Sequence, residues 1–190
     1  MIGAQKRLEE IKKLVDKADE KLIKQFLIST LNDDPILSTC FKSAIEGNLT
    51  ADEVVLFKNK IDQIVIRNSG KRHYIDYYNA QYFCIDMEEF IYKDVQKLID
   101  IHQYRAAFSI LIYVFTTIDG IDIDDSCNTT GQIADTISEF LLQVLEESEV
   151  ADKKLMLKYL KDLVEKHNSY GLEIYIERVL ADGISGRDSK

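Results

Sequence analysis

Three histidines, three cysteines and a few clustered carboxylates are the side chains of this sequence able to do acid–base, nucleophilic or metal chemistry. His73, His102 and His167 each fall beside an expected helix end, where an imidazole complements exposed carbonyls without any further role. A nucleophile–base pair of His102 with Cys84 or Cys127 would need tertiary contact, because no spacing in the chain joins them. Cys40, Cys84 and Cys127 stand far apart and form no C-x-C or C-x-x-C pair, so neither a zinc knuckle nor a disulfide framework is written here. Cys40 and Cys84 lie in apolar periodic segments and read as small buried hydrophobes.

The run from Asp122 to Thr130 invites comparison with a calcium loop. Started at Asp122, oxygen ligands fall at positions one, three, five and seven, but Cys127 stands where glycine is needed and Ile133 where a bidentate Glu is needed. Started at Asp124, Asp135 comes last and Thr129 takes the glycine position. Both registers fail at the residues that set geometry. These side chains are expected instead to satisfy backbone donors in an interhelical loop and to cap the next helix. Glu88, Glu89 and Asp94 lack the Glu-x-x-His pairs of a di-iron bundle and read as solvated helix faces. Phosphate-loop, dinucleotide and nucleophile-elbow motifs are missing, so a metal or cofactor is not expected. The most unusual chemistry is aromatic: His73-Tyr74-Ile75-Asp76-Tyr77-Tyr78 sets apolar rings with polar tips at one helix start. Tyr74, Tyr77 and Tyr78 are the candidate partner-binding residues, since Tyr buries much area while losing few rotamers. The bland alternative packs these rings between helices with hydroxyls at the rim.

Helices must position these groups, because apolar residues recur at helical spacing nearly everywhere. Ala4, Leu8, Ile11, Val15, Ala18 and Leu22 step by four and three along a first seam. Asp19 is a candidate cap for a second helix. Asp34-Pro35 opens a third, with an acceptor at the cap and proline where its missing N–H does no harm; Gly47 ends it. Thr50-Ala51-Asp52-Glu53 is a capping box for a helix ending at Asn68-Ser69-Gly70. A long aromatic helix is expected from about Tyr74 to Ile101, then a joint at His102-Gln103. Tyr104 to Ile118 comes after the joint, its continuous apolarity implying burial on most sides. The stretch Asp122 to Gly131 is the best loop. Thr129 to Gln132 is a second capping box, opening a helix through about Ser148; two more run from about Ala151 to Lys166 and Ser169 to Ala181.

The expected fold is therefore all-α, with eight or nine helices in antiparallel hairpins, as a compact bundle or a short irregular helical-repeat superhelix. One domain over 1–182 and a flexible tail over 183–190 complete the layout. The 190 residues suit a single core, and 46% hydrophobic with 30% charged residues excludes general disorder. One proline and eight glycines are too few for a turn-rich all-β chain. The longest apolar stretch, Ala106 to Ile118, is too short to cross a bilayer, and no secretory signal opens the chain; a cytoplasmic location is expected. Twenty-four basic against 33 acidic residues leave a net charge of −9, which argues against direct binding of nucleic acid or an anionic membrane. The one basic concentration, Lys6 to Lys24, alternates with acids and reads as a solvated helix face.

Arg72-x-Tyr74-Ile75-Asp76-Tyr77-x-x-Ala80, Leu98-Ile99-Asp100 before a hairpin into Ala106-Ala107, and Ile123-Asp124-Asp125-Ser126 opening another helix occur in that order. Over roughly residues 20 to 150 this resembles the helical region that follows the zinc finger in bacterial SWIM-type zinc-finger proteins. Leu22 to Ala44 looks like the helical pair preceding it. The resemblance makes Arg72, Asp76, Asp124, Asp125 and Ser126 signature residues with a structural role. Arg72 is placed to pair with Asp76 or to reach the Asp124-Asp125 loop. The family's C-x-C…C-x-H zinc ligands are missing and Cys127-Asn128 replaces its Asp-Gly, so zinc binding and finger-mediated DNA recognition are not carried over. The resemblance implies a fragment of a larger protein or a stand-alone copy of the helical part.

The first reading is a non-enzymatic scaffold or protein-interaction module that binds a protein partner. An accessory adaptor supporting a SWIM-type nucleic-acid-binding finger in a longer chain is the second. An enzyme of unrecognised type is the third, and it requires a deep pocket holding several acids or a Cys–His pair.

Overall fold

A computed structural model describes residues 2–70, 73–166 and 171–185. Arg72, His167 and the expected helix start at Ser169 lie outside the described residues. Local capping chemistry fixes most of the helix starts. After α1 (Ile2–Lys17), the Asp19 carboxylate accepts from the Lys21 amide at 3.1 Å and opens α2 (Glu20–Asp33). Asp34 closes α2 and caps α3 (Pro35–Glu46), accepting from the Leu37 amide at 3.0 Å. Gly47 ends α3 at φ 106°, a left-handed conformation that only glycine adopts freely. In α4 (Ala51–Asn68) the capping box forms as the residues dictate: Glu53 N–H donates to the Thr50 hydroxyl at 3.3 Å and Thr50 N–H to the Glu53 carboxylate at 2.8 Å.

The long aromatic helix starts later than the periodicity suggested. Tyr74 and Ile75 form a strand, β1 (Tyr74–Ile75), paired in parallel with β2 (Asp122–Ile123), Tyr74 opposite Asp122 and Ile75 opposite Ile123. Asp76 explains the offset. Its carboxylate accepts from the Asn79 amide at 3.0 Å, so α5 (Tyr77–Phe90) begins only after it. A π-helical turn (Ile91–Val95) and α6 (Gln96–Asp100) continue the same rod. His102, at φ 61°, closes it: His102 N–H donates to Ile99 O at 2.9 Å and Gln103 N–H to Leu98 O at 2.8 Å, a left-handed C-terminal cap.

Next come α7 (Tyr104–Asp119), β2, α8 (Thr129–Glu147), α9 (Val150–Lys166) and α10 (Glu173–Ser185). Counting the interrupted rod once, nine helices are present among the described residues, and the fold is compact and all-α. The expected Thr129–Gln132 capping box does not form. Asn128 holds the cap position at φ 55°, and Asp125 reaches over it, accepting from Thr130 N–H at 3.0 Å and the Thr130 hydroxyl at 2.6 Å. Gln132 instead donates to the Cys127 carbonyl at 3.0 Å. Gly131 lets the Asn128 side chain and the Tyr175 hydroxyl close in on the helix start; a Cβ there would collide with Asn128 Oδ1, stand 2.7 Å from the Tyr175 hydroxyl and displace both. At the other end α10 runs past Ala181 to Ser185, since the backbone of buried Gly183 lies against Leu145 and Leu157.

The core gathers around α7, which buries Ala107, Phe108, Ile110, Leu111, Ile112, Val114, Phe115 and Ile118. Its neighbours are α4, α6 and α8, and α8 in turn packs on α5, α9 and α10. Cys40 and Cys84 are buried among apolar side chains, as their setting implied, while Cys127 is exposed. The amino-terminal helices differ from the rest: every residue from 6 to 17 is exposed, and α2 buries none.

Candidate partner-binding face

Helical periodicity sorts the aromatic residues of α5. Ala80, Phe83, Cys84, Met87 and Phe90 turn to the core, whereas tyrosines occupy the opposite side. Tyr78 is 80% exposed, Tyr82 64% and Tyr77 52%, with Ile85 also exposed. Tyr78, Tyr82 and Ile85 fall at i, i+4 and i+7, one row along one helix face. The rings therefore stand in solvent and do not pack between helices. Tyr77 and Tyr78 meet edge to face at 5.6 Å between centroids, a favoured aromatic geometry. Tyr74 joins the row from β1, half in solvent.

The β1–β2 bridge brings acids beside Tyr74 and Tyr77. Asp76 stands at the start of α5 and Asp122 opposite Tyr74. Asp124 N–H donates to the Ile75 carbonyl at 2.8 Å, which places Asp124 beside Asp76. Desolvation, then the charges of Asp124, Asp122 and Asp76, hold the Tyr74 hydroxyl above the usual tyrosine range. Cys127 beside the Tyr77 hydroxyl, with burial and Asp124 behind it, does the same for Tyr77. The Asp124 carboxylate accepts from the Ser126 hydroxyl and from the Ser126 amide at 3.1 Å, and these bonds lower its pKa. The bridge thus brings Asp76 and the Asp124-Asp125-Ser126 run together; Asp76, Asp124 and Asp125 each accept from a nearby amide, and Ser126 is the donor to Asp124. Tyr82, Ile85 and Asp122 belong to this face although their residue types alone did not single them out. The i, i+4, i+7 spacing was the available signal for the first two; for Asp122 there was none, since it depends on a strand pair of two residues.

A second feature is a cleft of about 550 Å³ lined by Asp34, Lys60, Arg67, Asp86, Lys93 and Asp94, among others. Asp94, expected on a solvated helix face, is only 3% exposed and sits on the π turn. One helical turn after buried Phe90 and one before buried Leu98, its carboxylate faces the inner side of the rod, where Lys60 donates at 2.6 Å and Lys97 at 3.2 Å. Arg67 contacts Asp86 at 2.6 Å, with buried Asn68 donating to the same oxygen at 2.8 Å. Burial alone would raise Asp34, but the Leu37 amide, Lys97, the Ile36 amide and Lys60 outweigh it and lower its pKa. The cleft's acids are thus matched by bases. Among the described residues every buried side-chain polar atom has a partner.

His102 Nδ1 lies 2.7 Å from the Tyr104 hydroxyl, which donates to Glu147 at 3.2 Å; Cys84 contacts Gln132 at 3.8 Å. Burial, then Glu88 and Asp125, push the Cys84 thiol up to about 11, and burial likewise raises Cys40 to about 11, so both stay protonated. Among the described residues no cluster of three or more metal-ligating side chains occurs, and no helix is long and apolar enough to cross a membrane. No family model, curated protein or solved structure matches this chain.

Proposed function

We propose that the chain is a non-enzymatic scaffold or protein-interaction module that receives a basic amphipathic helix on the face of Tyr74, Tyr77, Tyr78, Tyr82 and Ile85. The observation that carries this reading is the row Tyr78–Tyr82–Ile85, left in solvent on a core helix that Asp76 caps, with Asp122 and Asp124 beside Tyr74 on the β1–β2 bridge. Amphipathic rings supply contact area at little entropic loss, and acids at the rim select a cationic partner. The chain has ten tyrosines and no tryptophan, so a change in its tyrosine emission follows the titration. Titration with a designed Leu/Lys helical peptide is expected to saturate and to weaken with added salt. The Tyr74→Ala/Tyr77→Ala/Tyr78→Ala chain is expected to bind it about tenfold more weakly. Equal binding of a Leu/Glu peptide, or unchanged binding by the triple variant, would overturn the reading.

A second reading is the accessory adaptor that the SWIM-type resemblance implies. Its support is that Asp76 and the Asp124-Asp125-Ser126 run, distant in sequence, meet at the β1–β2 bridge. In a longer chain carrying a finger, deleting this region would then lower DNA affinity, although the region binds no DNA by itself.

A further inference from the structure

Among the described residues the amino-terminal arm is the least packed part: residues 6–17 are all exposed, and α2 buries none and leans on α3. In α1, Leu8, Ile11, Leu14 and Val15 are all exposed, and Leu22 and Phe26 continue the apolar surface on α2 at 59% and 73% exposure. The four–three step of Leu8, Ile11 and Val15 makes a seam suited to lie along another helix. Seven basic and five acidic residues fall within 6–24, so the arm is net positive in a chain of net charge −9.

Charge decides what the seam fits. Arg7 and Lys12 flank it, so parallel pairing of two α1 helices would oppose Arg7 to Lys12, and antiparallel pairing would set like charges together again. Two heptads are also short for an independent coiled coil. The tyrosine face of α5 presents the complement: apolar bodies at i, i+4 and i+7, Asp76 at the start of the helix, and Asp122 and Asp124 beside Tyr74 on the preceding strand pair. At 1.5 Å per residue α1 is about 24 Å long and α5 about 21 Å, so one can lie along the other.

We propose that the occupant of the tyrosine face is α1 of a second copy of this chain, the two copies exchanging arms to form a closed dimer. This rests on the tyrosine face being a docking surface and adds the identity of its partner. Reciprocal exchange uses the same two surfaces in both copies, which closes the assembly at two.

Sedimentation equilibrium on the full chain tests it. The wild type is expected to show a concentration-dependent dimer, weakened by salt. Val15→Asp, in the arm, and Tyr82→Asp, on the face, are both exposed positions and are each expected to raise the dimer dissociation constant about tenfold or more, with the helical circular dichroism unchanged. Mixing the two variants restores one intact arm–face contact, so a heterodimer tighter than either homodimer is expected. A wild type that stays monomeric at every concentration overturns the proposal. So does a dimer that Val15→Asp abolishes and Tyr82→Asp leaves intact, since that is arm-to-arm pairing. Either result, with the Leu/Lys peptide still bound on the tyrosine face, rejects arm exchange alone; loss of peptide binding as well rejects the docking face itself.

Discussion

The Asp124 amide donates to the Ile75 carbonyl at 2.8 Å, tying the loop that opens α8 to the strand that precedes α5. Through this bond two segments nearly fifty residues apart in sequence become one surface. Ile75 lies wholly buried beneath it and Tyr74, its neighbour, faces out. The alternation of a two-residue strand is thus what puts a hydrophobic anchor under the candidate face and an aromatic ring upon it.

Ile75→Ala is therefore expected to destabilise the fold by about 2–4 kcal/mol, the range for emptying a buried isoleucine site. Urea denaturation followed by circular dichroism measures it. The loss should come with faster amide exchange at Asp124, because the β1–β2 bridge loosens first. A variant as stable as the wild type would show that the bridge rests on the backbone alone.

Asp94 and its cations make an unequal set. The carboxylate side chain is 4% exposed, while Lys60 and Lys97 keep 47% and 30% of theirs in solvent. Asp94→Ala removes the anion that holds both ammonium groups, which stay partly in solvent, and is expected to cost about 1.5–3 kcal/mol, the range for charged hydrogen bonds. Lys60→Ala should cost less, as Lys97 still compensates the buried charge. The two denaturation midpoints, compared directly, check the order; reversal would mean that the π turn is not held by this cluster.

Acid sensitivity follows from the α4 capping box. The Lys42 ammonium at 2.8 Å and the Thr50 amide and hydroxyl bonds hold the Glu53 carboxyl at about 2, against an ordinary value of 4.5. A depressed carboxylate stabilises fully above the unfolded value and loses that contribution as pH falls through the folded one. The window is thus about pH 4.5 down to 2. Glu53→Gln should be less stable than the wild type at neutral pH, with the gap closing across that window. A gap independent of pH, by urea denaturation at a series of pH values, would contradict the assignment.

What the sequence made legible was the part governed by neighbours along the chain. Asp19, Asp34, Thr50 with Glu53, and Gly47 each act within one helical turn, and each does in the structure what its residue type dictates. The apolar run of α7 likewise foretold burial on most sides. Features governed by contacts across the fold were hidden. Asp125 takes over the capping of α8 from Thr129, β1 and β2 are too short for a period of two to register, and the buried carboxylate of Asp94 has its partner in Lys60, which reaches it from α4. Tyr74, Tyr77 and Tyr78 could be picked out as unusual from their types, but their exposure depends on which side of α5 faces α8.

The most direct measurement is hydroxyl-radical footprinting of tyrosine side chains on the full chain, with and without the Leu/Lys helical peptide. If the face of α5 is the docking surface, then at a dilution where the chain is monomeric labelling of Tyr78 and Tyr82 falls as the peptide saturates, while Tyr159 on α9 is labelled as before. Saturable binding that leaves Tyr78 and Tyr82 fully reactive would contradict it.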